Sequence, residues 1–293
     1  MQQDKTGQTS ADQSASQATR LKITEVFYSL QGEARNVGLP TVFVRLTGCP
    51  LRCVYCDTAY AFHGGEWRSF DQLLDEVAGH GVRHVCVTGG EPLAQNNCLG
   101  LLERLCDAGY DVSLETSGAI DIRPVDRRVT RVVDLKTPGS GECARNLMDN
   151  LDDLREEDVL KFVICDRDDY VWARDQLRTR SLAERCDVLF SPAWEQLDPA
   201  LLAGWILEDR LDGRSVIPQV VAFQCMDVFS IGKDFSLCRF FQAQHELGEE
   251  RAATRDDPGD AVCGQRHIAQ QHAGMDGEIV HTLLGLLDQR VAE

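Results

Sequence analysis

Three cysteines lie four and three residues apart in one short loop, Cys49-Pro-Leu-Arg-Cys53-Val-Tyr-Cys56. The loop directly follows an apolar segment, 41–46, and Gly48 allows a sharp exit from that segment. Three thiols on so short a loop can wrap three corners of a cubic iron–sulfur cluster, leaving one iron without a protein ligand. Because catalytic metal sites keep a position open, this iron could chelate the amino and carboxylate groups of a small molecule.

Two other interpretations of the three thiols have to be weighed. A disulfide framework fits poorly, because three cysteines cannot all pair and the chain shows no export signal. A structural zinc site would need a fourth ligand, and His63 is close enough in sequence to be one. The cysteine spacing alone therefore leaves an iron–sulfur cluster and a zinc site both open.

Length and charge narrow the class of protein. The chain has 293 residues, 43% of them hydrophobic, enough for one substantial domain with appendages. It carries 47 acidic against 30 basic residues, a formal net charge of −17, which disfavours extended contact with nucleic acid. No apolar run approaches membrane-spanning length, and residues 1–20 lack the apolar core of a signal peptide. We therefore expect a cytoplasmic protein with reduced thiols and no membrane partner.

Strands alternate with helices along most of the chain. Residues 1–20, rich in Gln and Ser, predict a disordered leader, and order should begin at Leu21. The predicted strands are 21–30, 41–46, 83–88, 111–114, 131–135, 159–164 and 187–190. Four helices are predicted. The first begins at the capping box of Ser69 and Gln72, the second includes Leu99 to Leu105, and the last two cover 170–182 and 201–207. This alternation predicts an α/β fold with a parallel sheet. About six units predict an incomplete (β/α)6-type barrel over 21–218, followed by a segment, 219–293, of uncertain structure.

Polar and glycine-rich segments follow strand after strand, where parallel sheets and barrels place their active sites. One of them, Gly89-Gly90-Glu91-Pro92, would let the backbone approach a ligand closely, and Glu91 could accept hydrogen bonds from an ammonium group. Taken alone, this segment is more simply an ordinary strand-to-helix turn.

Taken together, these motifs resemble a known family. The pattern Cys-x3-Cys-x2-Cys followed by Gly-Gly-Glu-Pro resembles the radical S-adenosylmethionine (SAM) superfamily. The segments that resemble the 7-carboxy-7-deazaguanine synthase family more narrowly are Phe27-Tyr28-Ser29-Leu30-Gln31-Gly32-Glu33, Cys56-Asp57-Thr58, Glu115-Thr116-Ser117-Gly118 and Asp134-Leu-Lys-Thr-Pro138. The resemblance implies a [4Fe-4S] cluster, SAM and Mg²⁺ as cofactors. It also implies that a radical from SAM starts the conversion of 6-carboxy-5,6,7,8-tetrahydropterin to 7-carboxy-7-deazaguanine, with ring contraction and loss of ammonia, in the pathway to queuosine.

The resemblance assigns roles to individual positions. It implies that the cluster is held by Cys49, Cys53 and Cys56, and that Mg²⁺ is bound by Thr58. The positions implied to contact SAM are Tyr55, Asp57, Gly90, Glu91, Ser117, Asp134, Leu135, Lys136, Ser191, Pro192, Ala193 and Trp194. The positions implied to contact the pterin are Leu30, Gln31, Gly32, Arg45 and Thr88.

Two charged residues on apolar strands are informative by themselves. Arg45 is opposite in phase to Val42, Val44 and Leu46, so its charge needs a partner on the other face. A substrate carboxylate held by the guanidinium fork would serve, as would a salt bridge at the rim. Lys161 either faces the cavity or extends from an edge toward water.

The other cysteines and histidines of the matching region lack metal-ligand spacing. We expect buried thiols at Cys86, Cys98, Cys106, Cys143, Cys165 and Cys186, and surface or supporting roles for His63, His80 and His84.

After Pro218 the family pattern, which normally closes with a Gln-x-His-type signature, is lost. Our hypothesis is that 219–293 is a divergent or frameshifted replacement that leaves the pocket incomplete. A helix is expected over Glu278–Val291. The spacings among Cys225, Cys238, Cys263, His245, His267 and His272 are too irregular to predict a metal site.

The resemblance also implies partners, and two alternative functions stay open. It implies an electron donor such as flavodoxin or ferredoxin, and a homodimer. A glycyl-radical-enzyme activase shares the cysteine spacing and Gly-Gly-Glu-Pro. A zinc-stapled binding module without catalysis is the rival from another class.

Overall fold

The computed structural model describes residues 19–211 and 216–218, which form a mixed nine-stranded sheet and four α-helices. The strands are β1 (Arg20–Leu30), β2 (Pro40–Leu46), β3 (Glu66–Ser69), β4 (His84–Gly89), β5 (Asp111–Thr116), β6 (Thr130–Asp134), β7 (Val159–Ile164), β8 (Asp187–Pro192) and β9 (Val216–Pro218). The helices are α1 (Phe70–Gly79), α2 (Cys98–Asp107), α3 (Arg167–Thr179) and α4 (Pro199–Glu208).

The strand order is β3-β1-β2-β4-β5-β6-β7-β8-β9. β1 runs antiparallel to both β2 and β3, while all strands from β2 to β9 are parallel to one another. β3 and β9 are the two edges and do not pair with each other. The predicted α/β class, with an incomplete parallel barrel open at one side, is confirmed.

The two faces of the sheet carry different side chains because successive residues of a strand point to opposite sides. One face packs against the helices and forms the main apolar core, with Val44 of β2, Val87 of β4 and Phe162 of β7 fully buried in it. The other face is the interior of the open barrel, where polar and charged side chains alternate with these apolar positions. The functional site is built on this second face.

The first helix begins for the reason that the sequence indicated, and the bounds of the others differ from the predicted ones. Ser69 Oγ accepts from Gln72 N at 3.2 Å and Gln72 Oε1 accepts from Ser69 N at 2.9 Å, which confirms the capping box of α1. α2 begins at Cys98, after a separate 3-10 turn at Pro92–Ala94. α3 ends at Thr179, three residues before the predicted end.

Two connections depart from the predicted regular alternation. The segments 117–129 and 135–158, which join β5 to β6 and β6 to β7, contain turns and 3-10 helices but no α-helix. Pro124 in the first lacks the N–H that a continuous helix needs, and in the second the short helix that starts at Pro138 ends at Gly141, whose φ is +77°. The short, exposed strand β3 was not predicted, since four residues carry too little pattern.

A β-bulge changes the phase of β1. Ile23 pairs with Leu46 but Glu25 pairs with Arg45, so Thr24 is an extra residue on this strand. Before the bulge the odd-numbered residues Leu21 and Ile23 face the helix-side core, whereas after it the even-numbered Val26 does. As a consequence, Glu25 lies on the barrel interior beside Arg45.

Several predictions fall partly or wholly outside the described residues. β1 starts at Arg20, the last residue of the predicted leader. Residues 1–18 and 219–293 are not described, so the leader, the terminal helix and the hypothesis about a replaced C-terminal segment stay predictions. None of the described helices is both long and apolar enough to cross a membrane.

Candidate active site on the barrel interior

The cysteine loop leaves β2 at the carboxyl edge of the sheet. Cys49, Cys53 and Cys56 are free thiols, each half-buried, and Cys56 N donates to Cys53 O at 3.2 Å in a tight turn. Burial raises the pKa of Cys49, and it raises the pKa of Cys53 to about 11. Without a metal Cys49 and Cys53 are therefore protonated thiols, and a bound cluster would have to displace these protons.

The glycine pair after β4 packs against this loop. A Cβ on Gly90 would lie 2.3 Å from Gly48 O and 2.8 Å from Cys49 Cβ, and one on Gly89 would lie 2.4 Å from Leu46 O. The close backbone approach predicted for this pair is thus an approach to the cysteine loop. Because glycine has no Cβ, the end of β4 can pack directly against the backbone of the cysteine loop.

Glu91 ties two strand ends together. Its carboxylate is fully buried and accepts from Leu93 N at 2.9 Å, from the Thr116 hydroxyl at 2.9 Å, and from both N and Oγ of Ser117. The bond to an ammonium group expected from sequence is therefore not preformed. A ligand that binds Glu91 would have to replace one of these donors. A ligand that accepts from the Ser117 hydroxyl would have to break its bond to Glu91.

Asp134, Lys136 and Tyr55 form a polar group beside Cys53. Lys136 Nζ donates to Asp134 Oδ2 at 2.8 Å and lies 5.7 Å from the centre of the Tyr55 ring. Burial disfavours the charge of Lys136, but the Asp134 carboxylate outweighs it and the pKa of Lys136 is raised. Burial also raises the pKa of Tyr55, so its hydroxyl keeps its proton. The Tyr55 hydroxyl and Asp134 Oδ1 are buried without a hydrogen-bond partner among the described residues, which is typical of a site shaped for a ligand.

A second charged group lies beside the first on the barrel interior, where Lys161 on β7 is the register partner of Asp134 on β6. Lys161 forms an ion pair with Glu33 through Oε1, and Glu33 is also hydrogen-bonded to the protonated side chain of Glu115. Burial, together with the Glu33 charge, raises the pKa of Glu115 to about 8. Burial opposes the charge of Lys161, but Glu33 and Glu115 outweigh it and its pKa is raised. Of the two interpretations of Lys161, the structure supports the one that faces the cavity.

Arg45 has both an ion pair and open donors. Its Nε donates to Glu25 Oε1 at 2.7 Å, and Thr88 is its register partner on β4. Its two terminal nitrogens donate to no acceptor within the described residues, and 16% of the side chain is exposed. Arg45 therefore forms a salt bridge through Nε and still has two terminal nitrogens that can bind a ligand carboxylate.

Thr58 lies at the mouth of the barrel. Its Oγ1 donates to Asp57 Oδ1 at 2.6 Å, which leaves the hydroxyl lone pairs available to a cation. No group of three or more His, Cys, Asp and Glu among the described residues is arranged to hold a single metal ion, and His63 is exposed. A closed four-ligand zinc site is therefore not formed by this part of the chain. A magnesium ion at Thr58 would take most of its ligands from substrate and water.

The remaining predicted residues fall into two places. Ser191, Pro192 and Ala193 are buried at the end of β8, with the half-exposed Trp194 after them, as expected for a strand-end site. Leu30, Gln31 and Gly32 do not join that edge, because β1 is antiparallel and Leu30 pairs with Pro40 at the start of β2. The buried Gln31 side chain instead reaches Cys86 on the barrel interior.

Sequence reasoning missed several supporting residues. Glu25, Glu33 and Glu115 were not assigned as site residues. Alternation along β5 could have placed Glu115 inside, but a β-bulge precedes Glu25 and Glu33 lies beyond the end of β1. Asp169 is buried in the first turn of α3 and accepts from the Thr137 hydroxyl at 2.9 Å and from Gly139 N at 2.7 Å. Asp169 thereby holds the loop after β6 in place. From the sequence it could be recognised only as an acidic residue near the start of a helix.

The scattered cysteines behave largely as expected. Those that are buried are Cys86, Cys98, Cys106 and Cys186, whereas Cys143 and Cys165 are only half-buried.

Known proteins resemble the chain in sequence and in fold. The family model described as Radical SAM superfamily matches residues 43–138. The chain is 44% identical to the 7-carboxy-7-deazaguanine synthase of Koribacter versatilis over 211 residues, covering 66% of this chain and 92% of that protein. It is 41% identical to the synthase of the same name from Chlorobaculum tepidum, covering 66% of this chain and 90% of the relative. The crystal structure of QueE from Escherichia coli, 24% identical, matches the fold with a TM-score of 0.56 over 72% of this chain and 99% of that one.

Proposed function

The chain belongs to the 7-carboxy-7-deazaguanine synthase family of the radical SAM superfamily, and we propose on this basis that it converts 6-carboxy-5,6,7,8-tetrahydropterin to 7-carboxy-7-deazaguanine with loss of ammonia. The observation that carries the proposal is the identity of 41–44% over about nine tenths of two synthases. The reaction belongs to queuosine biosynthesis. An activase or a zinc-bound module would not account for this relationship.

The residues present fit a [4Fe-4S] cluster and SAM. Three half-buried free thiols lie next to two buried polar atoms, Tyr55 Oη and Asp134 Oδ1, that no described residue satisfies. When bound, the cluster and SAM supply one electron and a radical able to abstract hydrogen. Lys136 places a positive charge near Cys53, where it offsets the negative charge of cluster thiolates.

We assign the SAM contacts to residues around the carboxyl ends of the strands. They are Tyr55, Asp57, Gly90, Glu91, Ser117, Asp134, Leu135, Lys136, Ser191, Pro192, Ala193 and Trp194. Their support is the shared edge of the sheet and the family resemblance.

The pterin is held on the interior in this proposal. The terminal nitrogens of Arg45 bind its carboxylate, since a guanidinium fork matches a carboxylate in a bidentate pair. Thr88 flanks Arg45 in the sheet, and Leu30, Gln31 and Gly32 contact the ring from the far end of the barrel. Thr58 binds Mg²⁺ together with substrate oxygens and water. The protein's own contribution is to hold the reacting carbon in place and to exclude water.

We further propose that a flavodoxin or ferredoxin donates the electron and that the enzyme works as a homodimer. We also place it in the cytoplasm, where thiols stay reduced. The family resemblance is the support for these three statements.

The decisive experiment is anaerobic reconstitution followed by incubation with the carboxy-tetrahydropterin, SAM and a reductant. We expect a brown protein containing iron and sulfide, and 5′-deoxyadenosine that forms only when the pterin is present. Cys53→Ala should lose both properties. Cys143→Ala, a half-buried cysteine outside the loop, is the matched control and should keep them. A colourless, zinc-replete protein, or 5′-deoxyadenosine formed without the pterin, would contradict the proposal.

A further inference from the structure

Glu25 lies on the barrel interior only because of the β-bulge in β1. With regular alternation from Ile23, whose side chain packs in the helix-side core, Glu25 would point to that same core. The extra residue Thr24 turns Glu25 inward instead, opposite Arg45. Bulges commonly redirect a side chain next to an active site.

Glu25 is held by two donors. Its Oε1 accepts from Arg45 Nε at 2.7 Å and from the Tyr60 hydroxyl at 2.8 Å. These hydrogen bonds outweigh the opposing effect of burial and lower the pKa of Glu25, so it is ionised at neutral pH. Tyr60 belongs to the 3-10 turn that directly follows Thr58, so the same short segment carries the proposed magnesium ligand.

The surroundings of the guanidinium allow a carboxylate to approach from one direction. Arg45 Cζ lies 5.5 Å from the Phe27 ring centre and 5.9 Å from that of Tyr60. Phe27 is itself stacked on Phe43, with centroids 4.9 Å apart. A carboxylate can bind a guanidinium side-on, through Nε and one terminal nitrogen, or end-on, through both terminal nitrogens. Because Arg45 Nε already donates to Glu25, side-on binding of a second carboxylate is blocked. The end-on pair of terminal nitrogens remains open.

We propose that Glu25, fixed by Tyr60, is a positioning residue that aims the terminal nitrogens of Arg45 at the substrate carboxylate. It thereby selects carboxylated pterins over pterins without that group. This inference rests on the proposed function, because it assigns Arg45 to the carboxylate.

Glu25 also carries a charge that repels an incoming carboxylate, and the two effects have to be compared. The Glu25 side chain is 38% exposed, so water and salt screen its repulsion. An unheld arginine, in contrast, loses much of its rotamer freedom when it binds a ligand. We therefore expect orientation to outweigh repulsion.

The test uses the full-length, anaerobically reconstituted enzyme. Turnover gives KM and kcat for the carboxy-tetrahydropterin, and binding is measured with two oxidised, unreactive probes, 6-carboxypterin and pterin. Glu25→Ala should raise KM, and the Kd of 6-carboxypterin, about tenfold, close to 1.4 kcal/mol, while kcat and the Kd of pterin change less than threefold.

Two further variants separate orientation from charge. Glu25→Gln keeps an acceptor for Arg45 Nε, so it should stay within about threefold of the wild type, and Tyr60→Phe should fall between Glu25→Gln and Glu25→Ala. Glu103→Ala, on the exposed face of α2, is the matched control and should change nothing.

The outcomes distinguish this inference from the proposed function. Equal losses for 6-carboxypterin and pterin, or equal losses in Glu25→Gln and Glu25→Ala, would overturn the positioning role. If the wild-type enzyme binds both probes equally, the inference fails whether or not turnover occurs. If it prefers 6-carboxypterin and Glu25→Ala removes that preference, the inference stands even without turnover, and only the proposed reaction fails.

Discussion

Two buried groups of charged side chains lie at different depths of the parallel sheet, and they differ in how completely their polar atoms are bonded. At the amino ends of β6 and β7, Arg131 donates from all three guanidinium nitrogens to Asp158, Asp153 and the Ile122 carbonyl. Asp158 is fully buried and also accepts from Arg155 N at 2.9 Å and from Arg155 Nη2 at 3.0 Å. Neither Arg131 nor Asp158 has a buried polar atom left without a partner in the described chain.

The group on the barrel interior contains Glu33, Glu115, Asp134, Lys136 and Lys161. It includes two ion pairs, yet Asp134 Oδ1 is buried without a partner among the described residues. Its carboxylates also outnumber its cations, and one of them responds by taking up a proton, since the pKa of Glu115 is raised to about 8 by burial and the Glu33 charge.

The comparison separates two uses of buried charge. A fully bonded group costs much to break and fixes the packing of the strands. A group with unpartnered atoms costs stability in the free protein and is retained where a ligand completes it. We therefore assign the Arg131 group to the fold and the interior group to binding.

The largest effect is expected from Asp158→Ala. It would leave Arg131 buried with too little compensating charge, which should lower the free energy of unfolding by about 3–5 kcal/mol. For a domain of this size the melting temperature should fall by roughly 10 °C. Thermal unfolding measures this, and turnover per folded molecule at a low temperature should stay near the wild-type value.

A matched control for this variant is Asp111→Ala, which breaks an exposed pair with Arg83 and should cost about 0–1 kcal/mol. If Asp158→Ala instead removed turnover from fully folded protein, the assignment of the Arg131 group to the fold alone would be wrong.

Lys136→Met should show the opposite pattern. The variant loses the positive charge near Cys53 and leaves Asp134 without its ion partner, but 18% of the Asp134 side chain is exposed to water, so the melting temperature should fall by roughly 4 °C, less than in Asp158→Ala. The Kd of SAM should rise roughly 30-fold, about 2 kcal/mol, measured by equilibrium binding to the reconstituted enzyme. Lys22→Met on β1 serves as the control and should bind SAM normally. A large loss of stability with unchanged SAM affinity would place Lys136 with the structural group.

Glu115→Gln tests the proton on the interior group through pH. The pKa of Glu115 is raised in the folded state, from 4.5 to about 8. The unfolded chain therefore releases this proton at lower pH than the folded protein does. Its contribution to stability is fully present below the unfolded pKa and is lost as pH rises toward 8, with a slope of at most about 1.4 kcal/mol per pH unit. The difference in unfolding free energy should thus shift in favour of Glu115→Gln between pH 5 and 8. Denaturant titrations that give parallel pH profiles for the two proteins would show that Glu115 is not protonated as described.

The same comparison shows what could be predicted from the sequence. Seven of the nine described strands, the open parallel barrel and the position of the cysteine loop follow from local patterns and spacing, and they were predicted correctly. The missing helices between β5 and β7 were not, because prolines and glycines act there without leaving a strand or helix pattern. Lys161 was ambiguous because its partner Glu33 is 128 residues away. The hydrogen bonds from Thr116 and Ser117, at the next strand end, to the Glu91 carboxylate could not be predicted, because sequence spacing does not show which side chains meet there.

The smallest effect is expected from Tyr55→Phe, which removes one unpartnered hydroxyl next to Lys136 of the interior group. A buried hydroxyl that no described residue satisfies costs stability in the free protein, so deleting it should raise the free energy of unfolding of the cofactor-free form by about 1 kcal/mol. The melting temperature should rise by roughly 2–4 °C. If the hydroxyl is completed by SAM, as we propose, the same variant should bind SAM a few-fold more weakly, so stability and affinity change in opposite directions. Tyr110→Phe, a partly buried tyrosine packed against the helix-side core, is the control and should show neither change. A loss of both stability and SAM affinity in Tyr55→Phe would mean that the hydroxyl is bonded in the free protein, and the contrast between the two charged groups would then be weaker than the structure indicates.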